Sequence, residues 1–236
     1  MKLATDILGS QIVESLGELI APTRCAGCER QGVLLCHECL ASLSRDYVLG
    51  QACPKCAGPY GALTCTECWE IEYSFEAALA LGILDGPLAR AVVLFKDANE
   101  RRLADLLGLI LAQRIQASWS NWAHALCWVP ATKEAIRRRG FDHAELLTGC
   151  VARHSRVSAL PLLSRPHARD QRGLSRKQRL KSAQQFVCTG QVPKIPRKVL
   201  LVDDVFTTGA TVDAASQALL SAGAQQVRVA VLGRAW

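Results

Sequence analysis

The 236-residue sequence contains no run approaching the ~18 uncharged apolar residues that a spanning helix needs, so no membrane span is expected. It has no G-x-x-x-x-G-K-[ST] segment, and a P-loop ATPase is therefore not expected. It also lacks the marks of an export leader. Asp6, Glu14 and Glu18 interrupt the apolar residues at the front, and no small-residue cleavage site follows. Leu8, Ile12, Leu16 and Leu19 recur there at helical spacing. Residues 1–24 are thus expected to form an amphipathic helix packed on its own domain rather than a membrane-surface anchor. Without an export signal, the eleven cysteines do not read as a disulfide framework. Thiolates on metal in a reducing, cytoplasmic setting fit better.

Eight of those cysteines fall in four Cys-x-x-Cys pairs: Cys25/Cys28, Cys36/Cys39, Cys53/Cys56 and Cys65/Cys68. A Cys-x-x-Cys knuckle presents two sulfurs on one side of a tight turn, so two knuckles can surround one tetrahedral ion. Residues 25–70 are expected to be a double zinc ribbon with two structural ions, since four thiolates leave no open position for water. The even spacing fits consecutive pairing, first with second and third with fourth, while a cross-braced arrangement stays open. So short a segment has almost no apolar core, and metal binding would supply its folding energy.

The net charge of +7 is concentrated. Residues 165–181 hold seven Lys/Arg and one Asp, and Arg137, Arg138 and Arg139 form a second cluster. Localised positive charge points to an anionic ligand, either phosphates or nucleic acid. For the three consecutive arginines, the competing reading is a solvated helix face.

From about residue 75 to 236 the pattern is α/β. Strands are expected over 77–84, 125–130, 197–204 and 226–232. Helices are expected from Gly86-Pro87 and over 100–117, 142–153 and 210–222, with a basic loop after Pro130. Strands separated by helices imply a parallel sheet covered on both faces. Residues 165–196 read as a long loop or hairpin. Trp119, Trp122 and Trp128 suit core packing better than base stacking.

The sharpest local pattern runs from Val199 to Val212. An apolar strand ends at Asp203 and Asp204, and Thr207, Thr208, Gly209, Ala210 and Thr211 then lead into a helix. Open α/β sheets bind ligands beyond the carboxyl ends of their strands. Backbone N–H groups at a helix start favour a phosphate, and a glycine allows close approach. Paired carboxylates accept from the vicinal hydroxyls of a ribose. A receiver domain can also begin with Val-Leu-Leu-Val-Asp-Asp, but only 33 residues follow Asp203.

This stretch resembles the phosphoribosyl pyrophosphate motif of type I phosphoribosyltransferases. The order of cysteine knuckles followed by such a motif is similar, over nearly the whole length, to the ComF family of competence proteins. Family members carry Arg-Gly-Phe-Asn-Gln after a Val-Pro strand. Here Val129-Pro130 is followed by Arg139-Gly140-Phe141-Asp142-His143, with the Asn and Gln replaced. Gln171-Arg172-Gly173-Leu174, with Arg176 and Arg179, matches a further family segment. The resemblance implies a type I phosphoribosyltransferase-like parallel sheet preceded by the zinc module.

It further implies phosphoribosyl pyrophosphate with Mg²⁺ as ligand. Asp203 and Asp204 would lie at the ribose, residues 207–211 at the 5-phosphate, and Lys96 with Arg137–Arg139 near the pyrophosphate. Arg169, Arg172, Arg176, Lys177 and Arg179 would either close over the ligand or lie along single-stranded DNA. The implied role is in natural transformation, handling incoming single-stranded DNA alongside other competence proteins at the inner membrane. The alternative is an active phosphoribosyltransferase acting on a nitrogenous acceptor.

Overall fold

A computed structural model of the chain describes residues 22–43, 52–59, 65, 66, 68, 70–165 and 186–235. The expected N-terminal helix lies almost wholly outside the described residues, as do Arg169, Arg172, Arg176, Lys177 and Arg179. A short helix α1 (His37–Ser42) follows the second cysteine knuckle's first thiol. Then come β1 (Ala77–Ile83), α2 (Gly86–Lys96), α3 (Leu103–Trp119) and β2 (Ala125–Trp128). After β2 the chain forms α4 (Lys133–Arg139) and α5 (His143–Ser155). Two-residue strands β3 (Leu163–Ser164) and β4 (Val187–Cys188) pair antiparallel and close the base of the expected hairpin. The chain ends with β5 (Lys198–Phe206), α6 (Ala210–Ser221) and β6 (Gln226–Arg234).

The main sheet has the order β1-β6-β5-β2, and every pairing in it is parallel. Its strands are nearly continuous apolar runs because both faces are covered. Along β5, Leu200 and Val202 enter one core, and Val199 and Leu201 the other. The first core faces α2, α3 and α5, and the second faces α6.

Two expectations change in detail. The basic loop after Pro130 is in fact the helix α4. Thr132 caps it by accepting from the Ala135 amide at 3.2 Å, and Gly140 ends it at φ 79°. Three arginines in the last turn suit the negative end of the helix dipole. Strand β5 also runs two residues past Asp204, so the acids lie within the strand rather than at its end.

The cysteine segments clamp the edge strand β1 from both sides. Cys25, Cys36, Cys39 and Leu43 join the α2–α3 core, whereas Cys53, Cys56 and Ala57 join the α6 core. A methyl group added at Gly82 of β1 would sit 2.1 Å from the Leu43 carbonyl oxygen. Gly82→Ala is therefore expected to lift this segment from β1 and cost about 1–3 kcal/mol in urea unfolding. An unchanged midpoint would mean that the segment is not seated there.

Candidate functional site

The direction in which the chain leaves each strand locates the site. After β2 it turns to α4 and α5 on one face, and after β5 it turns to α6 on the other. The carboxyl ends of these neighbouring strands therefore flank a crevice at a topological switch point. A cavity of about 390 Å³ lies there. Its lining includes Lys96, Arg139, His143, Arg165, Asp203 and Asp204, together with the 129–132 turn, Thr207 and Thr211.

Asp203 and Asp204 are 8% and 4% exposed. Burial, followed by repulsion from Asp204, pushes the Asp203 carboxyl well above the usual carboxylate range. Burial would also raise Asp204, but the close approach of His143 and the charge of Lys96 outweigh it and hold that carboxyl low. Lys96 Nζ lies 2.5 Å from Asp204 Oδ2. That oxygen takes no well-angled hydrogen bond, so the contact is chiefly one of charge.

His143 connects this pair to a second one. Its Nε2 is 3.3 Å from Asp204 Oδ2, and its Nδ1 is 3.1 Å from an Arg139 terminal nitrogen. Arginine can only donate, so Nδ1 accepts and the ring proton sits on Nε2, facing Asp204. Arg139 also donates to Asp97 at 3.0 Å. An imidazole in this state offers one acceptor and one donor, as the glutamine amide of the family motif does. The other replacement is equally well accommodated. Asp142 caps α5 by accepting from the Ala144 and Glu145 amides, and its second oxygen accepts from Ala131 at 2.8 Å. Both of its oxygens thus serve as acceptors, which one amide oxygen could not match.

Of the three consecutive arginines, only Arg139 lines the cavity, while Arg137 and Arg138 are exposed. Among residues 207–211, Thr207 and Thr211 line it. Gly209 starts α6 at φ 79°, and a side chain there would meet Phe206 and Tyr73 at 2.7 Å. Sequence reasoning did not single out Arg165, whose guanidinium stacks 4.7 Å from the Phe186 ring beside the cavity. It also passed over Arg234. The signal was present in both cases: one arginine roots the basic segment, and the other ends an apolar strand. Trp119 and Trp122 lie near the amino ends of the strands, with Arg228 at 5.2 and 4.3 Å from their rings, in the packing role expected.

The eight paired cysteines gather into two groups, Cys25/Cys28/Cys36/Cys39 and Cys53/Cys56/Cys65/Cys68, which resolves the pairing as consecutive. Sulfur–sulfur approaches of 3.7 Å (Cys28–Cys36), 3.6 Å (Cys53–Cys68) and 3.4 Å (Cys56–Cys65) are too long for disulfides. They lie close to the ~3.8 Å edge of a tetrahedron with metal–sulfur bonds of about 2.3 Å, so both groups could hold zinc. Burial pushes the Cys56 thiol up to about 11.

His143, Asp203 and Asp204 also converge within 4.8 Å, yet they do not suit a directly bound ion. Lys96 already stands at Asp204. A metal on His143 Nε2 would move the ring proton to Nδ1, against a donor arginine. The trio suits hydroxyl donors instead.

A parallel sheet with buried acids and a glycine-started helix at its switch point defines a phosphoribosyltransferase-type α/β protein. The family model described as "Phosphoribosyl transferase domain" matches residues 178–235. Competence protein F of Haemophilus influenzae is 30% identical over 223 residues, covering 89% of this chain and 90% of that protein. Competence protein ComFC of Streptococcus pneumoniae is 24% identical, covering 85% and 87%. The DNA utilization protein YhgH of Escherichia coli O6:H1 is 26% identical, covering 85% and 90%. A solved glutamine phosphoribosylpyrophosphate amidotransferase from B. subtilis aligns with 54% of this chain and 25% of its own, at TM-score 0.41 and 20% identity, too slight a likeness to argue from. The chain belongs to the ComF family of competence proteins.

The two acids are expected to respond oppositely to amidation. Asp204 stabilises the fold above its unfolded value of ~3.9, and that contribution is lost as pH falls through its lower folded value. Asp203 costs stability as pH rises from ~3.9 toward its raised folded value. Without ligand, Asp203→Asn should therefore equal or exceed wild-type stability at pH 8. Asp204→Asn should lose about 1–3 kcal/mol by leaving Lys96 unpaired. Urea unfolding of both at pH 4 and pH 8 checks the signs.

Proposed function

We propose that this chain binds phosphoribosyl pyrophosphate with Mg²⁺ in the switch-point cavity and handles single-stranded DNA during DNA uptake. The observation that carries the first half is the placement of two buried carboxylates beside a glycine-started helix, under a cationic rim. The carboxylates would accept from the 2- and 3-hydroxyls of a ribose. The α6 N-terminus, with Thr207 and Thr211, would take the 5-phosphate. Lys96, Arg139 and Arg165 would face the diphosphate as charge partners. The cation would arrive with the diphosphate rather than sit among His143, Asp203 and Asp204, which suit it poorly.

The second half rests on charge and on the names of the relatives, which speak of competence and DNA utilization. The +6 segment 165–181 includes Arg169, Arg172, Arg176, Lys177 and Arg179, all suited to a phosphate backbone. Other competence proteins at the inner membrane are the implied partners. Among the described residues, no helix is long and apolar enough to cross a membrane. A second reading, an active phosphoribosyltransferase, draws on the same cavity. It adds one requirement, that diphosphate be released when a nitrogenous acceptor is supplied.

Thermal unfolding with and without phosphoribosyl pyrophosphate and Mg²⁺ tests the site. Ligand at 100 times its dissociation constant should add about 2.7 kcal/mol to the wild type and nothing to Asp203→Asn/Asp204→Asn. No shift at millimolar ligand would overturn this reading.

For DNA, five neutralised phosphates predict a salt slope near −3.5, or roughly a hundred-fold loss of affinity from 50 to 200 mM salt. Fluorescence anisotropy with a labelled oligonucleotide measures it. Binding that ignores salt, or survives Arg176→Ala/Lys177→Ala/Arg179→Ala with the same slope, would remove the segment from the DNA reading.

A further inference from the structure

The second cysteine group is wired to the phosphate loop through one buried side chain. Arg234, at the end of β6, is 3% exposed. Its Nε donates to the Cys56 carbonyl at 3.0 Å, inside the Cys53–Cys56 knuckle. One terminal nitrogen donates to the Thr207 carbonyl at 2.7 Å and reaches the Phe206 carbonyl at 3.4 Å. The guanidinium also lies 4.9 Å from the Phe206 ring centroid. One fork thus ties the metal knuckle to two successive peptide groups of the loop.

A second tie runs beside it. Lys55, also within the knuckle, donates to the Tyr73 carbonyl at 3.0 Å and to that of Phe75 at 2.5 Å. Tyr73 in turn donates its hydroxyl proton to the Thr208 carbonyl at 3.0 Å. The Ser74 amide donates to Asp213, in the first turn of α6, at 2.6 Å. Tyr73 and Phe206 are also the two rings that leave room only for glycine at position 209.

The consequence follows from the planarity of the peptide unit. In a trans peptide the C=O and the next N–H point in opposite directions. Holding the Thr207 carbonyl toward Arg234 aims the Thr208 N–H away from it. Holding the Thr208 carbonyl toward Tyr73 does the same for the Gly209 N–H. Successive N–H groups presented together form an anion-binding concavity at the start of α6.

We propose that the Cys53/Cys56/Cys65/Cys68 group is the anchor of the phosphate loop, and that Arg234 is a positioning residue transmitting its order to the peptide groups at 207–209. The Cys25/Cys28/Cys36/Cys39 group has no such part. It lies on the opposite face of the sheet, against the start of α2, where Gly27 abuts Pro87 and Glu29 pairs with Arg90. Loss of metal or oxidation of thiols at the second group should therefore weaken phosphate-ester binding, while the same damage at the first should not. This inference takes its ligand from the proposed function, but the coupling itself can be read without any ligand.

The test uses the full chain and compares Arg234→Lys, Cys68→Ser and Cys28→Ser by zinc content, amide hydrogen exchange and calorimetry with ribose 5-phosphate. Lysine can reach one acceptor but cannot fork between the knuckle and the loop. Arg234→Lys should keep both zinc ions, exchange amides 207–211 about ten-fold faster and bind ribose 5-phosphate at least ten-fold more weakly. Cys68→Ser should lose one zinc ion and show the same two changes. Cys28→Ser should lose one zinc ion and leave 207–211 as in the wild type. Should Cys68→Ser not fold, Arg234→Lys still decides the matter. Unchanged exchange at 207–211 in Arg234→Lys, or equal loosening in Cys28→Ser, would overturn the proposal. Loosened exchange in a protein whose wild type ignores ribose 5-phosphate would leave the coupling standing and bring down the phosphoribosyl reading instead.

Discussion

Two carboxylates side by side in the buried end of a strand cannot both carry charge unless something nearby repays their lost hydration. Much of the site can be understood as the answer to that constraint. Lys96, the last residue of α2, reaches over to Asp204. His143, the first residue of α5, turns its protonated nitrogen toward the same oxygen. Arg139 holds the imidazole in that tautomer and is itself held by Asp97. Three separate helices therefore have their ends fixed around one pair of side chains. A ligand with vicinal hydroxyls would supply hydrogen bonds that this arrangement leaves unmade, so the ligand-free site is costly by construction.

The position of the acids could be read from the sequence because an apolar run of four residues, Val199 to Val202, followed by Asp-Asp and Thr-Thr-Gly-x-Thr combines burial, charge and a turn. The cysteine pairing was partly legible: even spacing favoured consecutive groups, and the fold removed the cross-braced alternative. What surrounds the acids was far less so. Lys96 stood out only through resemblance, since a lysine ending a helix looks the same whether it faces solvent or a carboxylate. The Arg137–Arg139 run looked uniform, yet a helix places its third member inward and the first two outward. His143 seemed a loss of the family's glutamine. Only the tautomer imposed by Arg139 shows that donor and acceptor are both retained. Arg234 was marked only as an arginine ending an apolar strand, since its partners are backbone carbonyls that no sequence pattern names.

The cysteine module reaches further into the fold than its composition implies. By composition the front of the chain looks like an appendage, with thiols in place of a core. In the fold its knuckles contribute Cys25, Cys36 and Cys39 to one core and Cys53 and Cys56 to the other. The thiol groups thus lie at the ends of two apolar layers that continue through the sheet. Their place in these layers ties the order of the thiol groups to that of the β1 side of the sheet.

The four-stranded order leaves two outer strands, and each has found a cover. At β2, the 158–160 segment runs alongside and exchanges hydrogen bonds with Leu126. At β1, the Ala78 amide donates to the Pro54 carbonyl, and Leu43 presses on Gly82. An exposed parallel edge is a template for another chain's backbone, and proteins generally block such edges. Seen this way, the cysteine knuckles guard the sheet against its own self-association. Displacing them would do more than loosen a small motif: it would uncover an adhesive border, and the damage would then scale with protein concentration.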